Sequence, residues 1–304
     1  LEGDLGLLCS PLRRMCCQQT HAVDRDIRDH TGPLHASSFE EHEVSALSAA
    51  KRSQGGPGAA PDPAGGGLVD RPEVVIEGGA RYTGQWRGQM RHGRGFLTKP
   101  DGQTYDGEFA DGVPHGYGVF TAANGNRYEG QWHRDQAHGH GKFVHVDGSS
   151  YEGQWCEDEK SGHGVEIWAD GASYEGQFLK GSKHGSGTYK CDNGIEYTGQ
   201  FFDDRMDGEG TYKFLDGRVY EGQWKQGHMH GRGKMTWTSG STYEGQYDMD
   251  IKSGEGKYTW PNGQVYSGQW KAGKQDGHGE FTDANGVKTA GLWSAGKPVD
   301  QSII

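Results

Sequence analysis

Aliphatic side chains are scarce in this chain. Only 32% of its 304 residues are hydrophobic, against roughly 45–50% apolar, glycine included, in an ordinary globular domain. Aromatics hold at 11%, so the shortfall lies in Leu, Ile and Val, which fill thick cores. A compact enzyme core is therefore not expected. No run approaches the ~18 apolar residues of a membrane-spanning helix, so none is expected. Basic charge is also short, with 31 Lys+Arg against 42 Asp+Glu. Phosphate binding starts from a basic surface, so nucleic acid is not an expected partner. Cysteine is sparse and odd in number, five in all, which argues against a secreted disulfide framework and for a reducing compartment.

Glycine is what the chain has in excess, 54 residues, and it falls on a period. From Tyr82 a tyrosine recurs every 23 residues, through Tyr105, Tyr128, Tyr151, Tyr174, Tyr197, Tyr220 and Tyr243 to Tyr266. Counting each tyrosine as position 0, glycine occupies position 2, and Trp, Phe or Tyr position 4. Glycines recur at positions 11 and 13, and Asp-Gly or Asn-Gly at positions 19 and 20, with Ser239-Gly240 the exception. A tenth, drifted unit begins at Thr289.

Each unit reads as a β-hairpin, because Asp-Gly and Asn-Gly mark turns between strands and YxGQW alternates with the pleat. Positions 0, 2 and 4 then share one face. Position 15 is apolar in all units except where Glu166 stands, and position 17 holds Trp168, Phe214, Trp237 and Trp260. Positions 0, 4, 15 and 17 together carry 29 of the 33 aromatic side chains. One face is therefore aromatic. The other, with an acid at position 1 and Gln at position 3, is polar and solvated. Gly84 and its equivalents inside the strand are expected to lie beneath a neighbouring ring, the alternative being that they only permit positive φ.

Residues 1–72 carry no repeat. Residues 55–67 are a Gly/Pro/Ala linker by composition. A short helix fits residues 38–52, where Ser38 and Glu41 have capping-box spacing and Phe39, Val44 and Leu47 share a face. It either stays transient or docks on an aromatic face. Cys9, Cys16 and Cys17 beside Arg13-Arg14 form a candidate lipidation site, the alternative being an unmodified tail.

Chemistry is not expected. His92, His115, His138, His184 and His230 share position 10, but successive repeats lie ~9–10 Å apart, too far to pool on zinc with bonds of ~2.0–2.1 Å. Cys156 and Cys191 differ in repeat phase and strand parity and are not expected to pair. No GxSxG elbow, Walker A loop or GxGxxG before a helix is present. Neither catalytic residue, metal nor cofactor is expected.

The YEGQW segments, the HGxG segments and the DG turns at a 23-residue period resemble the MORN (membrane occupation and recognition nexus) repeat, over residues ~74–296. The resemblance implies an all-β fold, an elongated, twisted, single-layer antiparallel sheet of tandem hairpins over residues 73–304. Val74-Val75-Ile76 and the tenth unit then look like caps. It also implies a non-catalytic scaffold, cytoplasmic, with cytoskeletal, ciliary or peripheral-membrane association. A long aromatic face is too large an apolar patch to be idle, and Tyr and Trp dominate binding hot spots. Tyr128, Trp132, Tyr151, Trp155, Tyr220, Trp224, Trp237, Tyr243 and Trp260 are the candidate protein-binding residues, for a helical segment in the groove or a second array. The alternative for each ring is that it only covers its neighbours. Phosphoinositide membrane binding is the alternative function, disfavoured by the acidic balance.

Overall fold

The computed structural model describes residues 67–299. The helix expected over 38–52, Cys9, Cys16, Cys17 and linker residues 55–66 lie outside the described residues. Within them the chain is almost wholly β-strand, with one 3-10 turn at Glu77–Gly79. The described residues fall into two units, the first ending at Ser182 and the second beginning at Lys183. In each, seven-residue strands such as Ser150–Cys156 alternate with nine-residue strands such as Glu159–Ile167, all paired antiparallel. The first strand, Val69–Val75, starts ahead of the expected boundary at 73 and pairs with Arg81–Arg87. Its free edge is blunted by Pro72, which has no N–H to offer another chain.

Two turns alternate along the sheet. The Asp-Gly and Asn-Gly pairs close four-residue loops, in which Lys99 N–H donates to the Gln103 carbonyl and Gly102 N–H to the Lys99 carbonyl. The hairpin inside each repeat is tighter and lies at positions 6 and 7. Both its central residues have positive φ, 52° and 71° at Glu157 and Asp158, 46° and 71° at Met249 and Asp250. That is the type I′ geometry whose twist suits a two-residue hairpin.

Ring-over-glycine packing holds the aromatic face together. The Tyr151 ring lies across the partner strand where a Cβ on Gly164 would fall 2.5 Å from it. Its hydroxyl donates to the Gln154 carbonyl at 2.9 Å, and the equivalent bond recurs in every repeat from Tyr82 to Tyr266. The ring meets Trp155 edge-on at 5.1 Å and Phe178 of the next repeat at 5.0 Å. Such T-shaped pairs contribute about 0.5–1.5 kcal/mol each beyond burial. The Trp155 indole N–H donates to the Gly141 carbonyl at 3.0 Å. Each repeat is thus completed by rings from its neighbours, as a linear array requires.

The polar face has its own order. Gly162 breaks the ladder with φ 56°, and Gln154 Oε1 fills the bulge, accepting the His163 N–H at 3.0 Å. Gln131, Gln200, Gln223, Gln246 and Gln269 do the same for His140, Glu209, Arg232, Glu255 and His278. Position 3 is therefore a cap for the bulge. Beside it, Glu221, Lys234, Glu244 and Lys257 stand opposite one another on four successive strands, a ladder of alternating charge.

Glu166, the exception at position 15, is matched by Lys160 at position 9. The two form a close ion pair, and the Lys160 ammonium lies over the Tyr151 and Phe178 rings at 5.2 and 5.9 Å. Elsewhere position 9 holds another cation at Arg91, Lys183 and Lys252, and a buried apolar side chain at Ala137, Met206 and Met229. Lys160→Met alone removes the ion-pair partner of a carboxylate on the aromatic face and should cost about 2 kcal/mol. Lys160→Met with Glu166→Tyr reproduces the buried Met206 and Tyr212 of a later repeat and should recover wild-type stability. Urea unfolding of the three proteins checks this; a double variant no better than the single one would contradict it.

Candidate partner-binding surface

The nine candidate aromatic residues divide into two groups. Tyr128, Trp132, Tyr151, Trp155, Tyr220, Trp224 and Tyr243 are 0–6% exposed. Their rings cover glycines and one another, which makes them the interior of the sheet. Trp237 and Trp260, at position 17 beside the Asp/Asn/Ser-Gly loops, are only half-buried. Both belong to the second unit.

These two tryptophans sit in a continuous row. Trp237 lies 5.7 Å from Tyr258, Tyr258 4.7 Å from Trp260, and Trp260 6.2 Å from Phe281. All four are half-buried. Beneath them Lys252 is buried, its ammonium 4.7 Å over Trp237, 5.3 Å over Tyr243, 5.4 Å over Tyr258 and 5.6 Å over Trp270. The ring positions are thus set by cation–π and edge contacts, and the outer edges stay open. One repeat upstream the row closes, with Phe214 at position 17 only 6% exposed. Tyr258 and Phe281 were not among the candidates. Their common position 15 was visible in the sequence, but which copies stay open depends on neighbours in adjacent repeats.

Burial pushes the phenols of Tyr105, Tyr128, Tyr151, Tyr197, Tyr212, Tyr220 and Tyr243 well above their ordinary value, and Tyr266 up to about 12. All remain neutral through the physiological range, and all but Tyr212 donate to a backbone carbonyl.

The histidines at position 10 do local work. His92 Nδ1 accepts the Asp111 N–H at 3.4 Å; Asp207 and Asp276, at the same position, accept the Gln226 and Ala295 N–H groups at 3.0 Å. In these three repeats position 10 caps the tight turn of the following one. Among the described residues no three His, Cys, Asp or Glu side chains are gathered for a metal ion. Cys156 is an exposed free thiol, while Cys191 is buried. No helix among the described residues is long and apolar enough to cross a membrane.

A MORN-repeat model matches nine consecutive segments: residues 82–104, 105–127, 128–150, 151–173, 174–196, 197–217, 220–242, 243–265 and 266–288. The chain belongs to the MORN-repeat family. Its MORN repeats begin on the same tyrosines that mark the 23-residue period. No curated protein matches the chain. Among solved structures, it is similar to the TCP domain of SAS-4 from Drosophila melanogaster, 12% identical, covering 70% of this chain and 98% of that one, with a TM-score of 0.31. A TCP10-domain variant of CPAP from Danio rerio is also 12% identical, covering 76% and 98%, with a TM-score of 0.24. At these scores neither likeness bears on function. MORN repeats point to a protein-binding or membrane-associated repeat scaffold.

Proposed function

We propose that this chain is a non-catalytic scaffold that binds a protein partner along the rim of its MORN array. The observation that supports this reading is the half-exposed row Trp237–Tyr258–Trp260–Phe281, which, like half-buried Trp168, stands apart from the closed tryptophans at position 4. Open Trp and Tyr on a rigid support suit a hot spot, since little side-chain entropy is lost on binding. The tyrosine row beneath supplies rigidity rather than contact. A partner chain or a second array would therefore meet Trp237 and Trp260, not Tyr128 or Trp132. A cytoplasmic setting with cytoskeletal, ciliary or peripheral-membrane association accords with the family.

Phosphoinositide binding is the competing function. It calls for clustered Lys and Arg, and the acidic balance of 42 against 31 opposes it. Co-sedimentation of the full chain with phosphatidylinositol 4,5-bisphosphate vesicles separates the two. The expected result is no vesicle binding, together with a protein partner whose recovery falls at least tenfold with Trp237→Ala/Trp260→Ala at unchanged melting temperature. Salt-sensitive vesicle binding, or a partner indifferent to both tryptophans, would overturn the reading.

A further inference from the structure

Resting on that reading of the rim, we infer that its occupant is an extended proline-rich segment in the polyproline II conformation, with a basic residue following the prolines. Trp237 and Trp260 hold the same position in successive repeats. They therefore sit two strands apart, about 9.5 Å at ~4.7–4.9 Å per strand. A polyproline II chain returns to the same face every third residue, about 9.3 Å further on. The two periods are commensurate, so prolines three residues apart would stack on successive tryptophans, with Tyr258 between them.

Hydrogen bonding separates this occupant from a helix. The indole N–H groups of Trp132, Trp155, Trp224 and Trp270 are committed to glycine carbonyls. Those of Trp237 and Trp260 donate to nothing among the described residues and are not buried. They need acceptors from outside. A helix uses its carbonyls internally, whereas polyproline II leaves every carbonyl available.

Charge sets the direction. The next copy of position 17 is Asp283, half-buried and in line with the two tryptophans. Its Oδ1 accepts the Asn285 and Val287 N–H groups at 2.9 and 2.8 Å, which hold the carboxyl below its ordinary value. Its Oδ2 can accept from an arginine or lysine three residues beyond the second proline, a charge-assisted bond.

Titration of the full chain by calorimetry tests this, with a peptide carrying proline at every third position and a C-terminal arginine. A shuffled peptide of equal composition and an amphipathic helical peptide are the comparators. The proline peptide should bind at least tenfold more tightly than either. Trp237→Ala or Trp260→Ala should each weaken it about tenfold, the effect of losing one hot-spot ring. Asp283→Asn should remove the preference for an arginine over a glutamine end while leaving melting unchanged. Equal binding of the shuffled peptide, indifference to the tryptophans, or preference for the helical peptide would overturn the inference. Failure of all three peptides, with a cellular partner still lost in Trp237→Ala/Trp260→Ala, would overturn it while leaving the protein-binding function in place.

Discussion

Replacing Gly153 with Val should lower the melting temperature by about 10 °C, whereas Glu152→Lys, one residue away, should shift it by no more than about 2 °C. The two residues point to opposite faces. A Cβ on Gly153 would fall 2.5 Å from the Gly164 Cα and 2.7 Å from the His163 carbonyl oxygen, both backbone atoms, and 2.6 Å from the Tyr151 hydroxyl. No side-chain rotation relieves a clash with the partner strand's backbone. Only separation of the strands does, and that also opens the Tyr151–Trp155–Phe178 stack. Overpacking of this kind costs about 3 kcal/mol or more, and ~1 kcal/mol moves the melting point of a chain this size by ~2–4 °C. Glu152 lies on the polar face, paired with Lys142 at 3.1 Å, both more than half exposed. Losing such a pair costs at most about 1 kcal/mol. Scanning calorimetry of the two variants decides it, and equal shifts would contradict the assignment of faces.

Alkaline pH should unfold the protein in one steep transition rather than titrate its tyrosines one by one. The buried phenols have folded values above the ordinary 10.0, because burial disfavours tyrosinate. The unfolded chain therefore gives up protons first. Stability from these rings is fully present below about pH 10 and is lost as pH rises through the folded values, such as about 12 at Tyr266. Because the same burial recurs from repeat to repeat, the losses accumulate over a narrow interval. Tyrosinate absorbance at alkaline pH should rise together with the collapse of the circular dichroism signal. Tyrosinate formation with its midpoint near pH 10 and the β-sheet signal intact would show that the rings are open to solvent.

Much of this architecture was legible in the chain. The 23-residue period and the assignment of Tyr151, Gly153 and Trp155 to one face follow from alternation. The ring-over-glycine packing expected at Gly84 and its equivalents falls instead on the partner strand, at Gly95 and Gly164, while Gly84 and Gly153 let the two backbones approach. The tight turn was partly legible, since position 7 is Asp or Gly in every unit but the first. Yet Glu157 and Met249 at position 6 are not turn formers; the twist of the flanking strands imposes positive φ on them. The role of Gln154 was hidden for a similar reason. A glutamine on a polar face looks solvated until the bulge at Gly162 brings an unpaired N–H within reach. The candidate surface was half legible. Composition marked the aromatic residues, but burial is decided by contacts between repeats, such as Tyr151 with Phe178. The tyrosines therefore close into an interior while Trp237 and Trp260 stay open. Glu166 looked like a defect until Lys160 was seen to answer it from the same hairpin.

The central claim is that partners meet the open rim at Trp237 and Trp260 and not the polar face. Photo-crosslinking from two positions in the full chain, expressed in cells, tests it directly. A photoreactive residue at Thr238, exposed beside Trp237, is set against one at Glu244, exposed on the polar face. The account predicts a discrete protein adduct from position 238 that disappears with Trp260→Ala, and none from position 244. An adduct from position 244 with none from position 238 would contradict it.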